Sequence, residues 1–420
     1  MSLFAAVMGF LTYSSMYAFR KPFAAATFEG EYLLDLDLKV WLILAQTLGY
    51  MASKFYGIKM ISELKKEGRA NLIIGLIGFS WLALLGFAIA PAPYSILFFI
   101  FNGFPLGLIW GIVFHYMEGR RFTEMMGAML AASFVFSSGF VKSVGILLMQ
   151  DFSVSEKWMP FFTAGIFFPL MVISVFLLNH IPEPSAEDKQ LRSPRPAMDF
   201  SQRRRFFLEN WFGIILLILV YMMLTSLRDL RDNFVVEIWS GLNIDVSPTI
   251  LTQTEIPITL VLLSLMAGLV LIKNNVQAFF LNHWIILLGS GLAILVTLGL
   301  QVGYVNPYWW MVGVGTGVYM AYIPFNCLLF ERLIASFKSA SNVGFLMYLV
   351  DSFGYLGSSL ILMGKQFDVL SEIPWLQFYI QIIFLFMGLS LVLMGASLVY
   401  FQRKIRSKKN KVSIPMVQTL

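Results

Sequence analysis

Tyr13, Tyr17 and Arg20 are spaced i, i+4 and i+7 near the start of the chain, a spacing that predicts one helical face. Lys21 follows Tyr17 by four and lies beside that face. The stripe offers two phenol hydroxyls and two cations, and the first 28 residues contain no acid to neutralise it. GYMASKFYG repeats the pairing, with Tyr50 and Lys54 at i, i+4. YMMLTSLRDLRDNF holds Arg228 and Arg231 among Asp229 and Asp232, and SSGFVKSVG adds Lys142. Arginine grips phosphate or carboxylate with a planar fork, lysine adds a point charge, and the hydroxyls orient what is held. The chemistry implied is binding of an organic anion. Interhelical ion pairing is the alternative, with Asp229, Asp232, Glu255 and Asp351 as partners. Long basic side chains can also snorkel to an interface. For Arg20 and Lys54 the anion reading is preferred, for Arg228 and Arg231 both readings stand, and Lys142 is read as structural.

The elements that must position these residues are membrane spans. Hydrophobic residues make up 58% of the 420 positions and charged residues 13%; mean hydropathy is +0.76. A packed soluble core is excluded, since soluble domains carry about 25% charged residues. A charge near the middle of a bilayer costs at least about 2.5–3.5 kcal/mol, so each one kept there needs something to offset it. Twelve helical spans are expected, near 3–27, 39–60, 71–91, 94–117, 125–149, 158–180, 209–234, 251–272, 277–300, 307–330, 342–364 and 376–401. The fold class is therefore an all-α membrane protein of two six-helix bundles. The bundles are expected at 1–181 and 207–402, with a proline- and charge-rich linker at 182–206 and a basic tail at 403–420. No basic segment precedes the first apolar run, which is read as span one rather than a leader.

Lysine and arginine set the sides. Twenty-one of them fall in the loops that share a side with the linker and the tail; only Lys39, Lys157 and Lys365 fall in the alternate loops; six lie within spans. Both termini and the linker are expected on the cytoplasmic side of a plasma membrane, with the net charge of +6 serving topology rather than nucleic acid. The halves also look like weak repeats. Span four ends in FHYMEGRR, with Glu118 and Arg120, and span ten in LLFERL, with Glu331 and Arg332. Pro105 and Pro324 stand shortly before these ends, and Arg20 in span one is matched by Arg228 or Arg231 in span seven. Parallel six-helix repeats around a midplane site are a transporter architecture.

The pattern Y-x3-Y-x2-R-K-x-F, formed by Tyr13, Tyr17, Arg20, Lys21 and Phe23, resembles the first-helix motif of the organophosphate:phosphate antiporters. These are the glycerol-3-phosphate, hexose-phosphate and glucose-6-phosphate transporters of the major facilitator superfamily. Tyr50, Ser53, Lys54 and Phe55 are similar to that family's span-two run, and Gly103 and Pro105 to its span-four G-x-P. The resemblance implies that Arg20 and Lys54 coordinate substrate phosphate, that Tyr13, Tyr17 and Tyr50 assist, and that a span-seven arginine, Arg228 or Arg231, completes the site. The chain departs from the pattern in three places. Its span-seven arginines come one or two turns after Tyr221, Phe136 stands where the family's phosphate carriers can place a histidine, and the loop after span two reads YGIKMISELKKEGR.

The expected function is secondary transport of a small organic anion by alternating access, in one form a phosphorylated metabolite exchanged for phosphate. The alternatives are a transporter-like sensor that binds a sugar phosphate without moving it, and a proton-coupled carboxylate transporter. Glu255 and Asp351 are the candidates for proton coupling. No catalytic cluster or metal spacing is evident, the single cysteine is Cys327, and neither an enzyme nor a cofactor is expected. The expected partners are a small anionic substrate and the lipid bilayer, with no nucleic acid, and the protein is expected as a monomer. GVGTGVYM from Gly313 lies inside a span with no strand before it, so it is read as a helix-packing stretch, not a dinucleotide loop. His115, His180 and His283 are placed near membrane edges without a special role.

Overall fold

Segments this apolar must satisfy their backbone polar groups internally, and helices do so. The computed structural model describes residues 2–62, 68–117, 123–182, 200–337, 343–366 and 370–412. In the first half these form α1 (Ser2–Tyr17), the 3₁₀ turn η1 (Pro22–Ala25), a hairpin of β1 (Tyr32–Leu33) and β2 (Leu36–Asp37), α2 (Leu38–Ser62), α3 (Arg69–Ile89), α4 (Tyr94–Met117), α5 (Thr123–Gln150) and α6 (Met159–Asn179). The second half has α7 (Phe200–Asn233), α8 (Val235–Gly241), α9 (Ile250–Val270), α10 (Asn275–Gln301), α11 (Pro307–Cys327), α12 (Leu329–Phe337), α13 (Val343–Lys365) and α14 (Trp375–Val412). The hairpin pairs antiparallel, with Leu33 opposite Leu36. Eight of the described helices are long and apolar enough to cross a membrane, and the bent pair α11 and α12 makes a ninth. Glu118, Arg120, the linker residues 183–199 and the last eight residues of the tail lie outside the described residues.

Within the first half α4 packs on α2 and α3, and α1 on α5 and α6. In the second, α7 packs on α13 and α14, α10 on α11 and α14, and α9 on α11. The halves meet along α5 with α9 and along α2 with α13, and α11 touches α5. Small residues set these approaches. A Cβ on Gly139 of α5 would lie 2.6 Å from the Leu251 carbonyl oxygen of α9, and one on Gly317 would lie 2.6 Å from the Gly289 carbonyl oxygen. In GVGTGVYM, Gly313 and Gly317 let α11 close on α10, while Gly315 makes room for Ile258 of α9 and Arg231 of α7.

Span one departs from expectation. A continuous helix over 3–27 would carry Arg20 on the face of Tyr13 and Tyr17. Instead α1 stops at Tyr17, and the chain turns through Ala18–Arg20 into η1. Pro22 is the reason, because it lacks the N–H that would bond the Ala18 carbonyl and its ring crowds that carbonyl. The helix tightens as it ends: the amides of Ala18, Phe19 and Arg20 bond three residues back, at 3.0–3.1 Å. His283 also differs from expectation. It is buried in α10, where one ring nitrogen lies 3.0 Å from the Phe279 carbonyl oxygen and the other 3.2 Å from the Ser397 hydroxyl of α14. It joins two helices.

Candidate functional site

The break after α1 leaves backbone carbonyls without helical partners, and in an apolar setting each needs one. Two buried amides supply them. Asn102 of α4 donates to the Phe19 carbonyl at 3.0 Å, and to the Ser80 carbonyl at 3.2 Å and hydroxyl at 2.7 Å. Gln46 of α2 donates to the Arg20 carbonyl at 3.0 Å and to Asn102 Oδ1 at 2.7 Å. Both side chains are buried, Asn102 completely. Sequence reasoning passed over both. The signal was available, since an uncharged amide inside an apolar span needs partners as much as a charge does.

Held by this scaffold, the Arg20 guanidinium lies 4.1 Å from the centre of the Tyr50 ring and 5.9 Å from that of Tyr17. Tyr13 packs against Tyr17 and Trp110 at centroid distances of 5.6 and 5.1 Å. Lys54 Nζ lies 5.1 Å from the Tyr50 ring centre, and the Tyr355 ring is 5.4 Å from that of Tyr50. A desolvated cation over an aromatic face gains about 2 kcal/mol, less than burial of the charge costs. Among the described residues Arg20 makes no ion pair, and its Nε is buried without a hydrogen-bond partner.

The second half brings a different balance. Arg228 is fixed by Asp229 at 2.7 Å and donates to the Tyr322 hydroxyl. Asp229 in turn accepts from Ser358 at 2.9 Å. Arg231 is turned away and pairs with Glu255 at 2.7 Å. Both are buried and neither lines the cleft described below. Asp351 of α13 accepts from the Tyr221 hydroxyl at 2.5 Å, and that hydroxyl is 3.0 Å from the Tyr322 hydroxyl.

Between the halves, Asp232 is a shared anchor. One carboxylate oxygen accepts from Lys142 at 2.5 Å and from Ser138; the other is 2.5 Å from Lys21. Lys142 also donates to the Asp232 carbonyl at 2.5 Å, and Lys21 to Asn233 at 2.8 Å. The two lysines belong to the first half and the acid to the second, so the ion pairs tie the halves together. Further ties lie at the same end of the molecule, opposite the central linker. Lys39 pairs with Glu237 at 2.5 Å, Thr252 bonds Ser143 at 2.7 Å, and Gln150 bonds the Val246 carbonyl at 3.2 Å. Lys142, expected to be structural, sits in this tie.

A narrow cleft bordered by Tyr17, Arg20, Lys21, Phe134, Ser138, Arg228, Asp229, Asp232 and Tyr319 lies just beneath, with a cavity volume of about 10 Å³. That holds about one water, far less than the about 300–1,000 Å³ of small-molecule sites, so a ligand is admitted only when the lining moves. Three cations face two carboxylates in its wall, so its field is positive. Of the residues singled out in the sequence, Tyr17, Arg20, Lys21, Arg228, Asp229 and Asp232 border this cleft. Tyr50 lies against Arg20 and beside Lys54, Tyr13 packs on Tyr17, and Arg231, Glu255 and Asp351 do not border the cleft. Ser138, Phe134 and Tyr319 enter from α5 and α11 without any local sequence motif. Among the described residues no three His, Cys, Asp or Glu side chains gather in a way that would hold a metal.

The crystal structure of a D-xylose–proton symporter superposes on 94% of this chain and 96% of its own, with a TM-score of 0.62 at 12% identity. At that identity the likeness is one of fold: two bundles of six helices, the major facilitator fold. No curated protein matches the sequence. The model of a family of unknown function, DUF5690, matches residues 22–404. With most of its length matched, the protein belongs to the DUF5690 family.

Proposed function

We propose that the protein is a secondary transporter of a small organic anion, held between Arg20 of the first half and Arg228 of the second. The observation that carries this reading is Arg20: an intramembrane guanidinium with no acidic partner among the described residues, an unbonded Nε and a place in the wall of the interhalf cleft. An anion supplies the missing counter-charge, and it does so only when it is present. Arg228 is offset by Asp229, so it adds directional donors more than net charge. A phosphate ester or a carboxylate suits this pair, since either accepts a bidentate fork. The basic loops put both termini and the linker on the cytoplasmic side of the plasma membrane, and the protein acts as a monomer. The ties opposite the linker describe a state closed on the outer face, and alternating access requires that they part.

The test is exchange of labelled phosphate by the purified protein in liposomes, alongside Arg20→Ala. Exchange in the wild type and its loss in a folded variant support the reading. Exchange by Arg20→Ala at the wild-type rate refutes it. Binding of phosphate esters without flux assigns the cleft to a sensor.

A further inference from the structure

Five acids fall in the expected spans, Glu209 exposed at the very start of span seven beside Arg205, and four further in: Asp229, Asp232, Glu255 and Asp351. Three of these four are held by cations, Asp229 by Arg228, Asp232 by Lys21 and Lys142, and Glu255 by Arg231. Asp351 is different. Among the described residues no cation lies within ion-pair distance of it, and its bond is from the Tyr221 hydroxyl, at 2.5 Å. An intramembrane carboxylate without a cation is costly as an anion. A bound proton removes that cost.

The hydrogen bonds around Asp351 have a direction. Arg228 can only donate, and it donates to the Tyr322 hydroxyl. The single proton of the Tyr221 hydroxyl goes to Asp351. The 3.0 Å contact between the two hydroxyls is therefore donated by Tyr322 to Tyr221. Every donor in the chain Arg228–Tyr322–Tyr221–Asp351 points toward an ionised Asp351. Protonation reverses it. The Asp351 O–H then donates to Tyr221, whose own proton turns to the nearer of its two remaining acceptors, the Tyr322 hydroxyl at 3.0 Å rather than Asn326 Oδ1 at 3.4 Å, and Tyr322 accepts from both Tyr221 and Arg228. The Tyr322 proton is left without an acceptor in the chain, beside Arg228, where an anion would sit.

We propose that Asp351 is a proton site coupled through Tyr221 and Tyr322 to anion binding at Arg228, so that proton and anion bind cooperatively and move together. The inference rests on the anion site proposed above. The proton comes from the medium, adds to one carboxylate oxygen and leaves from it when the anion is released; no covalent bond in the anion changes. By linkage, the factor by which the proton raises anion affinity is the factor by which the anion raises proton affinity. Other ionisable groups surround the site. On α2 these are Tyr50 and Lys54, in the turn after α1 Arg20, on α7 Tyr221, Arg228 and Asp229, on α11 Tyr322, and on α13 itself Tyr355; α12, which also packs on α13, carries Glu331 and Arg332, the last bonded to Asn275 at 2.7 Å. None of these cations pairs with Asp351.

The experiment uses the full chain in liposomes, with inorganic phosphate as the probe. Phosphate affinity is measured across a pH series for the wild type, Asp351→Asn and Tyr221→Phe. Infrared difference spectra are recorded when phosphate is added at fixed pH. Taking the ratio of wild type to Asp351→Asn cancels the titration of phosphate itself. The expected ratio rises as pH falls, by up to about tenfold per pH unit for one linked proton. Phosphate is also expected to induce a protonated-carboxyl band that Asp351→Asn abolishes. Tyr221→Phe keeps the ring and is expected to retain phosphate binding while losing the phosphate-induced band. A ratio that stays flat with pH, or a band that persists in Asp351→Asn, overturns the proposal. Phosphate binding that depends on Arg20 but produces no Asp351 band overturns the proton site and leaves the anion site standing. An absence of phosphate binding by folded wild-type protein overturns both.

Discussion

Asp232→Asn isolates the tie between the halves. The carboxylate serves Lys21 and Lys142 at 2.5 Å each, and both lysines are buried, at 5% and 2% exposure. Asparagine keeps the shape and loses the charge. At an effective dielectric of about 20, two opposite charges 4 Å apart attract by about 4 kcal/mol. Removing one partner of a buried pair costs about 3–5 kcal/mol, because the other charge stays desolvated. In this protein the cost is relieved when the halves part and water reaches the two ammonium groups. The variant is therefore expected to favour the parted state by about 3 kcal/mol, roughly a hundredfold in the equilibrium. Ser143 reports on that equilibrium. It is 8% exposed and bonded to Thr252 across the interface. With Cys327 replaced and Ser143→Cys introduced, an impermeant thiol reagent labels only the parted state. Labelling is expected to speed up by roughly a hundredfold on adding Asp232→Asn, while Asp151→Asn, an exposed acid at the same end, leaves it unchanged. A change of less than about threefold, or under 0.7 kcal/mol, would refute the assignment of Asp232 as the tie.

Two further outcomes are expected. Asn102→Leu strands the Phe19 carbonyl and leaves the Gln46 amide only its bond to the Arg20 carbonyl, at about 1–3 kcal/mol for a buried group left unpaired, so it should lower the melting temperature in detergent and reduce phosphate binding together. A variant that melts normally and binds phosphate normally would remove Asn102 from the positioning of Arg20. Glu237→Gln leaves Lys39, 2% exposed, without its carboxylate and should destabilise the protein by about 3–5 kcal/mol. The double replacement Lys39→Met with Glu237→Leu should recover most of that loss, and equal destabilisation by single and double variants would show that the pair's charge is not what matters.

Much of this protein is legible in its sequence because a bilayer restricts the choices. Long apolar runs must become helices, so the membrane-length helices and the all-α fold follow from composition and length. Charges within such runs are costly, so Arg20, Lys54, Arg228 and Asp351 stand out without any structure. Partner choice is different, because it joins residues from distant spans. Asp232 meets Lys21 and Lys142 at sequence separations of 211 and 90, and no local spacing encodes those contacts. Arg228 and Arg231 read alike in the sequence, and only the packing of α9 and α11 turns one toward Glu255 and the other toward the cleft. The break after Tyr17 lay between the two cases. Pro22 announced it locally, whereas its repair by Gln46 and Asn102 required α2 and α4 to be in place. Covalent geometry and solvent thus set the elements, and three-dimensional contact decided which charge is neutralised by the protein and which is left for a ligand.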